Sequence, residues 1–345
     1  MKFRFFLTCL VLALAIYGCS TEITSTPVPA SSGSVAWSAL NLTGRLVYNA
    51  ADNNTGTLSV QSLDLTTGDL HTIFELPKVS WSDAVAVSPD GKTSVMAYSA
   101  LISAPYGGQQ TLYSTLLAGS EPPALLIAPP TGNDRYYQPV WSPDGKYVYF
   151  THVNEEAMAT YEIMRLAYPN GSPQTLVQDA FWPRIADDGV RLVYVARDPQ
   201  TGKNQLFLAN ADGSDAHQVP LSDLPVPDII DTPMISPDNQ SILFGSPDGP
   251  ISFEPNWIDR MLDVQVAFAN GSLPSDWWSV PIAGGTVTRL TQLQAMSLYG
   301  VYSPDRKYIA TYSLDGIFVM RPDGTQVTMV VNDVGGTAGT VSWIP

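Results

Sequence analysis

The sequence predicts an all-β protein, a six-bladed β-propeller with four antiparallel strands in each blade. Three observations predict it. A Ser-Pro-Asp-Gly motif recurs along the chain. Each copy lies between two β-rich segments and is followed by two more. No long helical periodicity separates the copies. Repeats of about 40–50 residues built from short strands indicate propeller blades.

The motif is plainest at Val87-Ser88-Pro89-Asp90-Gly91-Lys92 and Trp141-Ser142-Pro143-Asp144-Gly145-Lys146. It returns at Ile235-Ser236-Pro237-Asp238-Asn239 and Tyr302-Ser303-Pro304-Asp305-Arg306-Lys307. Degraded copies stand at Ile185-Ala186-Asp187-Asp188-Gly189 and Asn41-Leu42-Thr43-Gly44. Aligned on one position, they give Gly44, Gly91, Gly145, Gly189, Asn239 and Arg306, at steps of 47, 54, 44, 50 and 67 residues. The motif is a tight reversal: Pro presets φ at the first corner, Asp accepts nearby backbone N–H groups, and Gly tolerates positive φ. Pro89, Asp90, Gly91, Pro143, Asp144, Gly145, Pro237, Asp238, Pro304 and Asp305 are therefore read as structural turns.

Each turn feeds an alternating second strand, such as residues 94–98, 147–150 and 308–312. Third strands follow at 58–63, 161–166, 205–208 and 317–320. They end at turn pairs such as Thr67-Gly68, Asn170-Gly171 and Asp323-Gly324, and fourth strands return at 71–74, 175–177, 287–290 and 327–330. The first blade begins with a second strand, residues 45–48. Its inner strand is supplied either by residues 339–345, which match the first strand before Trp141, or by residues 34–40.

Trp141-Ser142-Pro143-Asp144-Gly145-Lys146 before an apolar strand, repeated around the chain, resembles the TolB-type propeller repeat. The resemblance spans nearly all of residues 40–345. It implies the six-bladed fold and a protein partner in the cell envelope. It does not fix function, because one blade type serves binding proteins, peptidase accessory domains and some enzymes.

Residues 1–18 read as a lipoprotein signal peptide. Lys2 and Arg4 precede an apolar run that is short for a membrane span. Ile16-Tyr17-Gly18-Cys19 resembles a lipobox, with Tyr17 a departure from the usual small or aliphatic residue. Cys19 is then the lipidated residue, and cleavage near Ala13-Leu14-Ala15 is the alternative. Residues 19–36 are rich in Ser, Thr and Pro and form a tether. The propeller occupies residues 37–345. The expected location is outside the cytoplasmic membrane, on its outer side or in the periplasm or outer membrane. The only cysteines are Cys9 and Cys19, so the body has no disulfide.

The net charge is −15, and loss of Lys2 and Arg4 takes it to −17. That argues against nucleic acid and against anionic headgroups as ligands. The lipid anchor is the only membrane contact expected, and the chain is read as a monomer.

In an up-and-down blade the 1–2 and 3–4 turns share one face, and the 2–3 loops and 4–1 crossovers share the other. The first, the turn face, holds tight reversals. The second, the loop face, holds the long segments, the longest being an insertion at residues 247–276 in the fifth blade. Loops on a rigid scaffold are where binding usually sits. Within the insertion, residues 257–268 suit a short helix, either a docking element or a packed decoration. Its Trp257, Met261 and Phe268, with Trp277 and Trp278 just beyond, are candidate binding residues; one of the two tryptophans is expected in the core and the other exposed. Asp134, Arg135, Tyr136, Tyr137, Asp179 and Asp231 lie just before first strands. They either converge on a ligand at the channel mouth or cap crossovers in solvent.

No cofactor, metal site or catalytic constellation is expected. His71 and His217 fall on the outer edges of different blades, and His152 stands alone. No Gly-x-Ser-x-Gly elbow is present. The reading is a non-enzymatic, membrane-anchored binding or scaffold protein. The alternative is a hydrolase or lyase acting on peptide or glycan at the channel mouth.

Overall fold

The computed structural model describes residues 37–76, 81–99, 110–118, 122–128, 132–155, 160–198, 200–226, 229–249, 273–337 and 339–345. Cys19 and the tether lie outside these residues, as do Trp257, Met261 and Phe268 of the inserted segment.

Six four-stranded antiparallel sheets form the blades of a propeller. The second blade runs Trp81–Val87, Thr93–Ser99, Gln110–Leu116 and Ala124–Ile127, each strand pairing with the next. The third runs Asp134–Trp141, Tyr147–Asn154, Thr160–Ala167 and Gln174–Gln178. The fourth and fifth keep this order, but their outer strands shrink to His217–Gln218 and Thr288–Arg289. A short parallel bridge, Leu221–Ser222 against Gly285–Thr286, ties the crossover leaving the fourth blade to the fifth.

The ring closes as the first alternative in the sequence requires. Val341–Ile344 pairs antiparallel with Arg45–Ala51, with Arg45 opposite Ile344 and Tyr48 opposite Val341. The C-terminal strand is thus the inner strand of the first blade. Ser38–Leu40, in the competing segment, forms a 3-10 turn.

Why the motif builds these turns is visible in its bonds. Ser88 Oγ donates to Asp90 Oδ1 (2.6 Å), the Lys92 and Thr93 N–H groups donate to Asp90 and Ser88, and Gly91 N–H closes on Ser88 O (2.8 Å). The same set recurs at Ser142–Tyr147, Ser236–Ser241 and Ser303–Tyr308. All six aligned positions have positive φ, from 57° at Asn239 to 84° at Gly44.

Among the described residues the core divides into six apolar clusters, one at each interface between blades. A blade in the ring is therefore covered on both faces. This corrects the expectation for the tryptophan pair: Trp277 and Trp278 are both buried, at 0% and 5% exposure. Trp277 packs in the interface between blades five and six, and Trp278 in that between four and five. Each indole N–H has an acceptor, Thr311 Oγ1 (3.0 Å) and Ser246 O (2.9 Å).

Candidate functional site

Two regions carry unusual geometry: the central channel and the loop-face end of the third blade.

The inner strands of blades three, four and five contain Gln138-Pro139, Trp182-Pro183 and Thr232-Pro233, each proline four residues before the motif's proline or its equivalent. The residues before these prolines are left-handed, with φ of 54°, 57° and 46°. For a β-branched residue such as Thr232 that is a marked departure. At each place the strand register slips, between Tyr137 and Val140, Phe181 and Arg184, and Asp231 and Met234. These are β-bulges, which re-aim side chains. The bulged residues reach across to neighbouring elements. Gln138 Oε1 accepts from Thr151 Oγ1 (2.7 Å), and Thr232 Oγ1 donates to Leu298 O in the approach to blade six (3.0 Å).

The fourth-blade bulge sends two side chains into the centre. Trp182 packs against the cluster of blades four and five and against that of blades six and one. Arg184 reaches the inner strand of blade six, where its guanidinium donates to Tyr299 Oη and to Gly300 O (2.6 Å). One arginine therefore does stand in the channel, which the sequence reading missed, and two of its donors are engaged. Beyond it, towards the turn face, opens a funnel of about 390 Å³ lined by all six inner strands, with Trp141, Tyr302 and Trp343 in its wall.

At the loop-face end of blade three, Asp134 and Tyr136 lie within the inner strand and not before it. Neither stays in solvent, which corrects that expectation. Asp134 is 2% exposed and accepts from His152 Nε2 (2.8 Å) and Asn154 Nδ2 (2.9 Å). His152 Nδ1 lies 3.2 Å from Glu162 Oε2, so the imidazole bridges two carboxylates on neighbouring strands. Tyr136 packs edge-on to Phe150, and burial, with Asp134 adding to it, pushes its hydroxyl pKa up to about 12. Arg135 pairs with Glu155 (3.4 Å), and Tyr137 is half-buried. Asp231 is buried at the start of the fifth inner strand, and Asp179 is exposed in a crossover. The six candidate residues thus do not meet at one point. Asp134 joins a brace, Asp231 belongs to another blade, and Asp179 stands apart. His71 and His217 lie on outer strands of different blades, and among the described residues no group of three His, Cys, Asp or Glu could hold a metal ion.

A second brace holds the base of the fifth-blade insertion. Buried Asp276 accepts from Thr291 Oγ1 (3.0 Å), the N–H groups of Leu293 and Gln294, and Arg289 Nη2 (2.7 Å). The other arm of Arg289 takes Asp248, so one guanidinium clasps both flanks of the inserted segment.

The turn face is less plain than its tight reversals suggest. Besides the funnel, it carries grooves of about 650 Å³ between blades three and four and about 840 Å³ between blades one and two. Arg165 lies over the Tyr147 ring in the first, and the exposed Leu116 borders the second.

Comparison with solved structures matches this architecture. TolB from Acinetobacter baumannii superimposes with a TM-score of 0.59 at 16% identity, over 88% of this chain and 67% of that one. The chain has the TolB-type propeller fold. A chain in the Nidogen/Laminin complex matches this TolB-type propeller with a TM-score of 0.57 at 10% identity, over 86% of this chain and 98% of that one. Part of the tricorn protease matches at 0.54 and 12% identity, over 84% of this chain and 30% of that one. No protein-family model matches the sequence, and no curated protein does. Identities this low carry the fold and transfer no residue's role.

Proposed function

We propose that the protein is a lipid-anchored, non-enzymatic binding scaffold of the cell envelope that captures a protein partner on its loop face. The observation that carries the non-enzymatic reading is the bridging of the channel above the turn-face funnel. Arg184 and Trp182 cross it, and the guanidinium is held by Tyr299 and Gly300, leaving this group committed to bracing the ring. The His152 cluster supports the same reading. Both ring nitrogens face carboxylates, an arrangement that joins three strands. The protein-binding reading is supported by the TolB-type fold and by the rigid ring, which holds the loop segments at fixed spacing. Cys19 supplies the anchor in this reading, and Trp257, Met261 and Phe268, with aromatic and Met character suited to an interface core, supply docking residues.

The test is crosslinking in native envelopes followed by capture of the full chain. A specific protein partner, lost when residues 250–273 are replaced by a short Gly/Ser linker in a protein that still folds, supports the proposal. Retention of every native partner by the shortened protein rules out the insertion as the docking element. Turnover of a peptide or glycan that depends on Arg184 or His152 rules out the non-enzymatic reading. Cys19→Ala is expected to release soluble protein or leave the leader uncleaved, and unchanged lipid labelling in that variant contradicts the anchor.

A further inference from the structure

We propose that the turn face is the membrane-facing side of the molecule, so that the anchor presents the loop face outward. The inference rests on lipidation at Cys19, and two independent features of the described residues and the sequence lead to it.

The first is where the chain joins the ring. Trp37 Nε1 donates to Leu65 O (3.3 Å), and its ring lies beside Gly68. Leu65 and Gly68 belong to the 3–4 turn of blade one. The 3-10 turn Ser38–Leu40 follows, and Leu40 O accepts from Tyr308 Oη (3.1 Å), just past the motif turn of blade six. Trp37 and Leu40 also pack on the apolar cluster between blades six and one. The last fixed point before the tether is thus docked on the turn face, over the seam between the first and last blades.

The second is reach. Residues 19–36 are 18 in number. Fully taut they span at most about 60 Å, and as a Ser/Thr/Pro-rich coil their root-mean-square span is about 25 Å. A domain of this size has a radius of gyration of about 19 Å, so it is about 40–50 Å across. For the loop face to lie on the bilayer, the tether would have to run from the turn face around the rim and past the full thickness of the ring. That demands a chain stretched beyond its relaxed span, at a cost in chain entropy. With the turn face inward, the relaxed coil suffices.

The experiment uses acylated full-length protein in vesicles of three parts phosphatidylethanolamine to one part phosphatidylglycerol. The body has no cysteine, so single reporters can be placed on opposite faces of the same two blades. Thr66→Cys and Lys307→Cys sit on the turn face, and Asn54→Cys and Asp315→Cys on the loop face. Each is labelled with a donor dye, and energy transfer to acceptor-labelled lipid is measured. Transfer from both turn-face sites should exceed that from both loop-face sites by about twofold or more, given a ring thickness comparable to the transfer distance. The acyl mass on Cys19 and co-flotation with vesicles are measured on the same samples. Acylation and flotation with equal transfer from the two faces, or greater transfer from the loop face, overturn the orientation and leave the anchor standing. An unacylated Cys19 and no flotation overturn both.

Discussion

Deleting residues 335–345 should unfold the protein, because the strand that closes the ring contributes about as much free energy as a whole domain has to spare. Val341, Trp343 and Ile344 are 2%, 7% and 4% exposed. At roughly 1.5–3 kcal/mol for burying each large apolar side chain, they contribute about 5–9 kcal/mol. Net stabilities of domains are about 5–15 kcal/mol. The strand also stitches blade one to blade two. Val85 N–H donates to Thr340 Oγ1 (2.7 Å), Val87 N–H donates to Ser342 Oγ (3.0 Å), and Trp343 Nε1 donates to Thr43 O (2.9 Å). Truncation leaves those groups unpaired and bares the inner edge of blade one. A point variant keeps the test readable if the truncated chain cannot be purified. Trp343→Ala should cost about 3–5 kcal/mol, and Ser342→Ala about 1 kcal/mol. The assay is urea denaturation followed by far-UV circular dichroism and tryptophan fluorescence. A truncated protein within about 1 kcal/mol of the full chain would refute the closure argument, since no accounting of buried area hides an effect that large.

Three further outcomes follow from the geometry. Gly145→Val should cost about 1–3 kcal/mol through its φ of 69° alone, since a Cβ there meets only Pro89 at 3.9 Å; Gly44→Ala should cost more, because its Cβ overlaps the Ile344 carbonyl oxygen, and equal losses in denaturant melts would contradict this. The Asp144 carboxyl is held down to about 2 by hydrogen bonds from Ser142 and Lys146, and Asp90, Asp238 and Asp305 are lowered as well. Their contribution is therefore complete above the ordinary carboxylate pKa of about 3.9 and is lost as pH falls from there towards 2, so melts between pH 5 and 2 should show a decline that Asp144→Asn shallows. Asp276→Ala should cost about 3–5 kcal/mol, because it strands one arm of Arg289, the Thr291 hydroxyl and two backbone N–H groups, and a melt unchanged from the parent would dismiss the brace.

The repeats, the strand count and the closing strand were legible because each is written in local pattern. A reversal needs a positive φ, and glycine, or asparagine at 239, marks the place. Even Arg306, with no such chemistry, was found by alignment, and its φ is 63°. The candidate site was much less legible. A bulge is a relation between two strands, so Gln138, Trp182 and Thr232 gave no signal of their own. A signal did exist in the prolines that follow them, always four residues before the motif position. Arg184 binds residues 115 and 116 positions away, a distance no local pattern reports. The Trp277-Trp278 pair departs from expectation for a different reason. Alternation along a strand implies one wet face in a lone sheet, whereas a blade inside a ring has two dry ones.

The closing strand also bears on the order in which the molecule can come into being. Trp343 meets Thr43 across 300 residues of chain. Blades two to six can each assemble from contiguous sequence as it emerges, but blade one waits for the end of the chain. Contacts of such long range are slow to form and cannot help the early chain to settle. Under the proposed export across a membrane this would be an advantage, since the domain could not lock before its last residues had passed. It also opens a window in which the first blade has one edge bare, and a chaperone that recognises an open strand edge has its best opportunity there.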